Sequence, residues 1–187
     1  MTDFQGLNVG CGPHRTDLPG WLNTDVIREP GHIEPDVVVT PDDPIPFPAY
    51  SFDRIYMGHV LEHVPWEKTV NFLKLVKEAL KSGGELMVVC PDINRALVRY
   101  LTSDDDLDWY KGVLEDDMHY QQTPTEWFGA RHCWNAYEER VVRVVELAGF
   151  HDVRAIDIND PVETFGWPIV SKADGQCAVK ATPHVVK

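Results

Sequence analysis

Three groups of residues in this chain have the types and spacing that chemistry requires. The first is Leu7-Asn8-Val9-Gly10-Cys11-Gly12-Pro13, with Asp25 thirteen positions after Gly12. An apolar run ending in glycines lets the backbone approach a ligand closely, and an acid at the end of the next strand can accept both hydroxyls of a ribose. The second is Gly58-His59-Val60-Leu61-Glu62-His63, whose histidines stand four apart and would share one face of a helical turn. Imidazole has the pKa suited to removing a proton near neutral pH. Asp92, in Cys90-Pro91-Asp92, is a further acid at the same strand ends, so His59, His63 and Asp92 are the catalytic candidates. The third group is His119, Tyr120, Trp127, His132 and Trp134 in a long connection. Aromatic faces there suit a sugar ring or a planar acceptor, which makes His119, Trp127, His132 and Trp134 candidates for substrate binding. Each group also has a plainer reading. The glycines can form an ordinary strand-to-loop turn, His63 can pack at a helix start, and the aromatic residues can pack their loop onto the sheet.

The glycine turn excludes some ligands. A dinucleotide fingerprint needs G-x-G-x-x-G followed by a helix whose N-terminus holds pyrophosphate. The third glycine position is Arg15, and only eleven residues separate Val9 from Trp21. That is the lower limit of about 10 to 12 for a whole crossover with its helix, so the first helix is a turn or two at most. A ligand without phosphates loses nothing by this. Adenosine carrying a methionine tail is such a ligand, and the turn reads as an S-adenosylmethionine site formed by Gly10, Cys11, Gly12 and Asp25. No ligand pair in the histidine-rich regions has a zinc-site spacing backed by a second pair, so no metal is expected.

The elements that must position these residues alternate as strand and helix, which points to an α/β sandwich with a mostly parallel sheet. Strands are expected over residues 4–9, 21–26, 36–40, 52–57, 85–90, 151–158 and 176–181. Glu85 to Cys90 is the clearest, a nearly continuous apolar run after Gly83-Gly84. A helix is expected from Pro65 to Lys81, with Val70, Leu73, Val76 and Leu80 on one stripe. A short one is expected over Ile93 to Leu101. Another begins at Asn135, as cap, with Glu138 completing a capping-box-like arrangement, Val141, Val144, Val145 and Ala148 buried and Gly149 ending it. The link from strand two to strand three, with Pro30, Gly31 and Pro35, is poor in helix. One sheet face beside the first three strands is thus expected to be thinly covered, with a second subunit as a candidate cover.

Composition bounds the partners. The 187 residues form one domain, residues 1–187, with 92–134 as a substrate-covering insertion. A net charge of −13 repels polyanions, and no Lys/Arg stripe appears, so long nucleic acid is not expected. The four cysteines lack a C-x-x-C pair, and no run reaches the ~20 apolar residues of a membrane span. A reduced, cytoplasmic protein with no signal peptide fits.

LNVGCGP, PGWLNTDV, IPFPAYSFDRIYMGHVLEHVP, EALKSGGELMVVCPD and ELAGFHDV, in that order, resemble the small class I S-adenosylmethionine-dependent methyltransferases of the methyltransferase type 11 kind. The resemblance covers residues 4 to about 155. It implies a Rossmann-like sandwich of seven strands in the order 3-2-1-4-5-7-6, the last antiparallel, here with truncated first helices. It also implies that Gly10, Cys11 and Gly12 form the cofactor loop and that Asp25 binds ribose. Asp42 or Asp43, before IPF, then falls where the family holds the adenine amino group, and His59 is a cofactor or substrate contact. Relatives with this pattern often modify polysaccharides, which suggests O-methylation of a sugar.

The acceptor is narrowed by absence. Tyr56-Met57-Gly58-His59 is not the acid-Pro-Pro-aromatic run of amino-methylating DNA enzymes, and no Pro-Cys nucleophile follows it. A small-molecule or glycan acceptor is expected. Two other readings stay open: a cofactor-binding subunit that needs a partner for activity, and, disfavoured by Arg15, a nicotinamide-dependent oxidoreductase.

Overall fold

The computed structural model describes residues 5–40, 42–102, 132–169 and 176–183. Their strands are β1 (Gly6–Val9), β2 (Trp21–Asp25), β3 (Val37–Val38), β4 (Phe52–Gly58), β5 (Leu80–Pro91), β6 (Phe150–Ile156) and β7 (Gln176–Pro183). The helices are α1 (Trp66–Ala79), α2 (Ile93–Thr102), α3 (Glu138–Leu147) and the short α4 (Pro161–Thr164), with a 3-10 turn at Leu61–His63. The sheet order is β3-β2-β1-β4-β5-β7-β6. Strands β1 to β5 pair in parallel, while β7 runs antiparallel to both neighbours. The expected Rossmann-like α/β sandwich is the fold observed.

Alternation along the strands divides the interior into two layers. Leu7, Val9, Ile55, Met57, Leu86, Val88, Cys90 and Val179 point to one face, where Phe72, Leu73 and Val76 of α1 and Val141, Val144 and Val145 of α3 cover them. Burying these side chains stabilises the fold by roughly 1.5–3 kcal/mol each. The other face carries a smaller cluster: Trp21, Tyr56, Met87, Val89, Ile156, Ile158, Trp167 and Ala178. Among the described residues no helix lies between β1 and β3. Instead the segment after β6 folds back over the sheet, and Trp167 meets Trp21 with ring centroids 5.8 Å apart. The guanidinium of Arg54 and the ammonium of Lys180 lie 5.3 and 5.5 Å from the Trp167 ring.

Side-chain hydrogen bonds replace the missing first helix. Asn23, fully buried in β2, accepts from the Thr16 amide through Oδ1 and donates through Nδ2 to the Thr16 carbonyl, at 2.8 and 3.0 Å. Asn8 on β1 donates to the same Oδ1 at 3.0 Å. Arg15 spans from this crossover to the next one, donating to the Glu34 carbonyl at 3.1 Å and lying 3.2 Å from Asp36. The residue that excludes a dinucleotide loop is therefore a strap between two helix-poor links.

Several boundaries differ from expectation. β3 is only two residues, and β5 begins five residues before Glu85, because Leu80 pairs with Phe52 ahead of the Gly83-Gly84 irregularity. Pro65 takes the cap position of α1 rather than its first helical position. Asn135 does not cap α3: the helix begins at Glu138, after Tyr137, which makes no side-chain cap hydrogen bond. The connection after β6, for which no helix is expected from the sequence, contains α4, capped by Asp160, whose carboxylate accepts from the Val162 amide at 2.8 Å.

Burial alone would raise the pKa of Asp36, but the Asn23 amide, the Asn23 side chain and Arg15 outweigh it and hold the carboxyl below its ordinary value. As pH falls the unfolded chain therefore takes up this proton first. The stabilisation is present above about pH 4 and is lost as pH drops through the folded value. Asp36→Asn should lower the urea midpoint at pH 7 and narrow its gap to the unchanged protein at pH 3. Equal gaps at both pH values would contradict this linkage.

Candidate active site

The loop leaving β1 is shaped by backbone that glycine favours: Gly10 and Gly12 have φ of +62° and +53°. At Gly10 a Cβ would meet Val60 at 2.6 Å, whereas nothing lies within 4 Å of the space a Cβ would take at Gly12. The first glycine is needed for packing, and the second leaves an open approach for a ligand. Asp25, 8% exposed, accepts from the Gly12 amide through Oδ2 at 2.8 Å and from the Ile27 amide through Oδ1 at 3.1 Å. Each oxygen keeps a further lone pair, so two vicinal hydroxyls can be added without breaking these bonds. Cys11 lies between the glycines with its side chain buried, and burial followed by the Asp25 charge pushes its thiol up to about 11. It contributes backbone and packing. Asp42 and Asp43 are exposed in the turn after β3, where the Asp43 amide donates to the Thr40 hydroxyl at 3.1 Å.

A separate cleft of about 510 Å³ lies between Pro13–Leu18 and Trp167–Ile169. Gly12, Asp25 and His59 do not line it.

At the end of β4 the chain departs from the expected helical turn. His59 sits outside the 3-10 turn with φ of +57°, a strained conformation for a residue with a Cβ, and its amide donates to Val89 at 2.8 Å. His59 and His63 therefore do not share a helix face. They converge instead on Glu62, whose side chain is fully buried. His59 Nδ1 is 3.4 Å from Glu62 Oε1, an ion-pair separation, and His59 Nε2 is 2.8 Å from Gln176 Nε2. With the Gln176 amide donating, Nε2 carries the lone pair and the imidazole proton is on Nδ1, facing the carboxylate. Burial opposes ionisation of Glu62, yet contact with His59 and the fields of His63 and His132 prevail and hold its pKa at about 2.

His132 and Trp134 arrive from the connection before α3. The His132 ring meets His63 edge to face at 5.0 Å. Trp134 is 5% exposed, and its Nε1–H donates to the carbonyls of Leu61 and Val64, both at 3.1 Å. Its ring also packs against Trp66 at 5.3 Å. Trp134 thus fixes the loop onto the turn and presents little surface to a ligand, which is the plainer of its two readings. His119 and Trp127 lie outside the described residues, as does most of 92–134.

Asp92 is 3% exposed, and both its oxygens serve helix starts. Oδ1 accepts from the Arg95 amide in α2 and Oδ2 from the Glu138 amide at the start of α3, each at 3.1 Å. This carboxylate supplies the cap expected from Asn135, and the two hydrogen bonds it accepts are structural. Sequence reasoning also assigned no role to Glu62 or Gln176. Glu62 stands between two histidines in the run, which is a usable signal; Gln176 becomes a neighbour of His59 only through the sheet order.

A mostly parallel sheet with a glycine loop after β1 and an acid ending β2 is the arrangement that nucleoside-binding α/β folds use. Residues 23–88 match the family model described as a methyltransferase domain. An S-adenosylmethionine-dependent methyltransferase from Archaeoglobus fulgidus is similar with a TM-score of 0.57 and 16% identity, over 96% of this chain and 88% of that one. One from Thermotoga maritima gives 0.60 and 16%, over 96% and 82%. A chain of the complex between the Haloferax volcanii Trm112 methyltransferase activator and a methyltransferase gives 0.57 and 14%, over 95% and 81%. At these identities the likeness establishes the fold. No curated protein matches the chain. The sheet order is the one shared by S-adenosylmethionine-dependent methyltransferases, and the methyltransferase-domain model spans about a third of the chain. None of the described helices is long and apolar enough to cross a membrane.

Asp92→Ala would leave two helix-start amides without their cap and should destabilise the protein by about 2 kcal/mol, at roughly 1 per cap. Urea unfolding measures this. Unchanged stability would return Asp92 to the catalytic candidates.

Proposed function

We propose that the chain transfers a methyl group from S-adenosylmethionine to a hydroxyl of a small molecule or glycan, with Gly10, Cys11, Gly12 and Asp25 holding the cofactor. The observation that carries this reading is the open space above Gly12 beside the Asp25 carboxylate. Bound there, S-adenosylmethionine supplies a methyl group activated on a sulfonium, so the protein has mainly to align acceptor and donor. The glycine loop admits the ligand to the backbone, and Asp25 fixes the ribose. Asp42 or Asp43 would receive the adenine amino group, because their turn follows the strand next to β2 at the same sheet edge.

His59 is the group we assign to the acceptor proton. Its 36% side-chain exposure leaves it accessible, and the buried Glu62 carboxylate stabilises the imidazolium that forms. An acceptor hydroxyl replacing Gln176 at Nε2 would pass its proton to that lone pair as the oxygen bonds to the methyl carbon and the carbon–sulfur bond breaks. His63 and His132 flank the same carboxylate and tune its field. His132, with His119 and Trp127 of the same connection, is the candidate acceptor surface. The acidic net charge favours neutral or cationic acceptors over polyanions.

A second reading has one observation in its favour: a structurally similar methyltransferase chain comes from a complex with an activator protein. In that case the chain binds the cofactor and needs a partner for transfer. The partner in that reading is another protein or a second copy in a homodimer.

Calorimetry with S-adenosylmethionine, S-adenosylhomocysteine and NAD should show binding of the first two only, and Asp25→Ala should weaken it by at least about tenfold, the loss of one charged hydrogen-bonding group. Binding of NAD alone, or undiminished affinity in the variant, would refute the assignment. Labelled methyl transfer to a panel of sugars and small hydroxyl compounds then separates enzyme from subunit: cofactor binding with no S-adenosylhomocysteine formed from any acceptor favours the partner-dependent reading.

A further inference from the structure

Linear spacing offers no metal-ligand set, but folding assembles one from distant segments. Glu62 and His63 leave the 3-10 turn next to each other, and His132 approaches from the connection before α3. One ligand atom from each lies within 4.8 Å of the other two. Glu62 is fully buried, and among the described residues neither of its carboxylate oxygens has a partner at full hydrogen-bond geometry, the His59 imidazole and the Cys90 thiol being the groups beside it. A buried carboxylate in that situation is costly unless positive charge compensates it. Among the described residues no lysine or arginine forms an ion pair with it; the groups around it are the imidazoles of His59, His63 and His132.

We propose that Glu62, His63 and His132 form a site for a divalent transition ion of the zinc type, with a coordination position left open. Two imidazoles and one carboxylate make up the donor set of open three-ligand zinc and iron(II) sites, and imidazole disfavours calcium and magnesium. The frame is already built. Trp134 bonds the carbonyls of Leu61 and Val64, the Cys133 amide donates to the Glu62 carbonyl, and Cys133 Sγ lies 3.2 Å from the His63 carbonyl. These contacts hold the two ligand-bearing segments in fixed register, so little ordering remains for the ion to impose. His59, 3.4 Å from Glu62 Oε1, is the outer partner that orients the carboxylate.

The test uses the whole metal-stripped protein, with Zn²⁺ titrated by calorimetry and Co²⁺ followed by visible absorption. The expected result is one Zn²⁺ per chain and ligand-field bands of a four- or five-coordinate cobalt centre. Glu62→Gln and His132→Ala should each weaken Zn²⁺ binding by at least about 100-fold. His32→Ala, in an exposed turn, should leave it unchanged. Where Glu62→Gln fails to fold, His132→Ala at a half-buried position decides alone. Absence of stoichiometric Zn²⁺ binding, equal affinity in all variants, or intense thiolate-to-cobalt bands would overturn the site. None of these readouts uses methyl transfer, so its outcome stands apart from that of the cofactor and acceptor assays.

Discussion

One carboxylate holds the carboxyl edge of this sheet in shape. The loop after β1 and the exit of β2 both close on Asp25, which receives amides from Gly12 and Ile27 while its own carbonyl receives the Val39 amide. In a sheet with full crossovers, a helix following β1 would stiffen that loop through its own backbone bonds. Here the crossover is too short, and the same order is imposed from the side by Asp25, Asn23 and Arg15. The shape of this loop is therefore a product of side-chain hydrogen bonding across strands, and it is held because nearly all of those groups are buried or doubly bonded.

This arrangement explains what could be read from the sequence. The long apolar β5, the stripe of α1 and the near-absence of a first helix follow from periodicity, glycine placement and an eleven-residue count, all local properties, whereas the sheet order is what the family resemblance implies. So did the Gly10–Gly12 turn and its acid, because glycine is required where φ is positive. The parts that escaped are non-local. Asp92 capping α3 depends on the path of the intervening connection, and the Gln176 contact of His59 depends on β7 inserting beside β5. His59 itself was read as helical because nothing in its neighbours announces a left-handed residue.

The histidine-rich region shows how one buried acid reorganises the meaning of its surroundings. Read as an i, i+4 pair, His59 and His63 are two independent bases. Placed around Glu62, they are parts of a single electrostatic unit to which His132 also belongs. Trp134 and Cys133 fasten that unit from outside, so aromatic residues that looked like a ligand surface are divided between holding the loop and facing the site.

The back-folded segment on the second face has a consequence for the order in which this protein becomes structured. Trp21 near the beginning of the chain is covered by Trp167 near its end, and Arg54 on β4 bonds the carbonyls of Phe165 and Gly166. A sheet face normally closed by the helix immediately following a strand is closed here by a contact of very long sequence separation. Such contacts carry a large loop-closure cost and slow folding. During synthesis the first three strands would leave the ribosome with one apolar side open until the last strands follow, a window in which a chaperone has a definite surface to recognise.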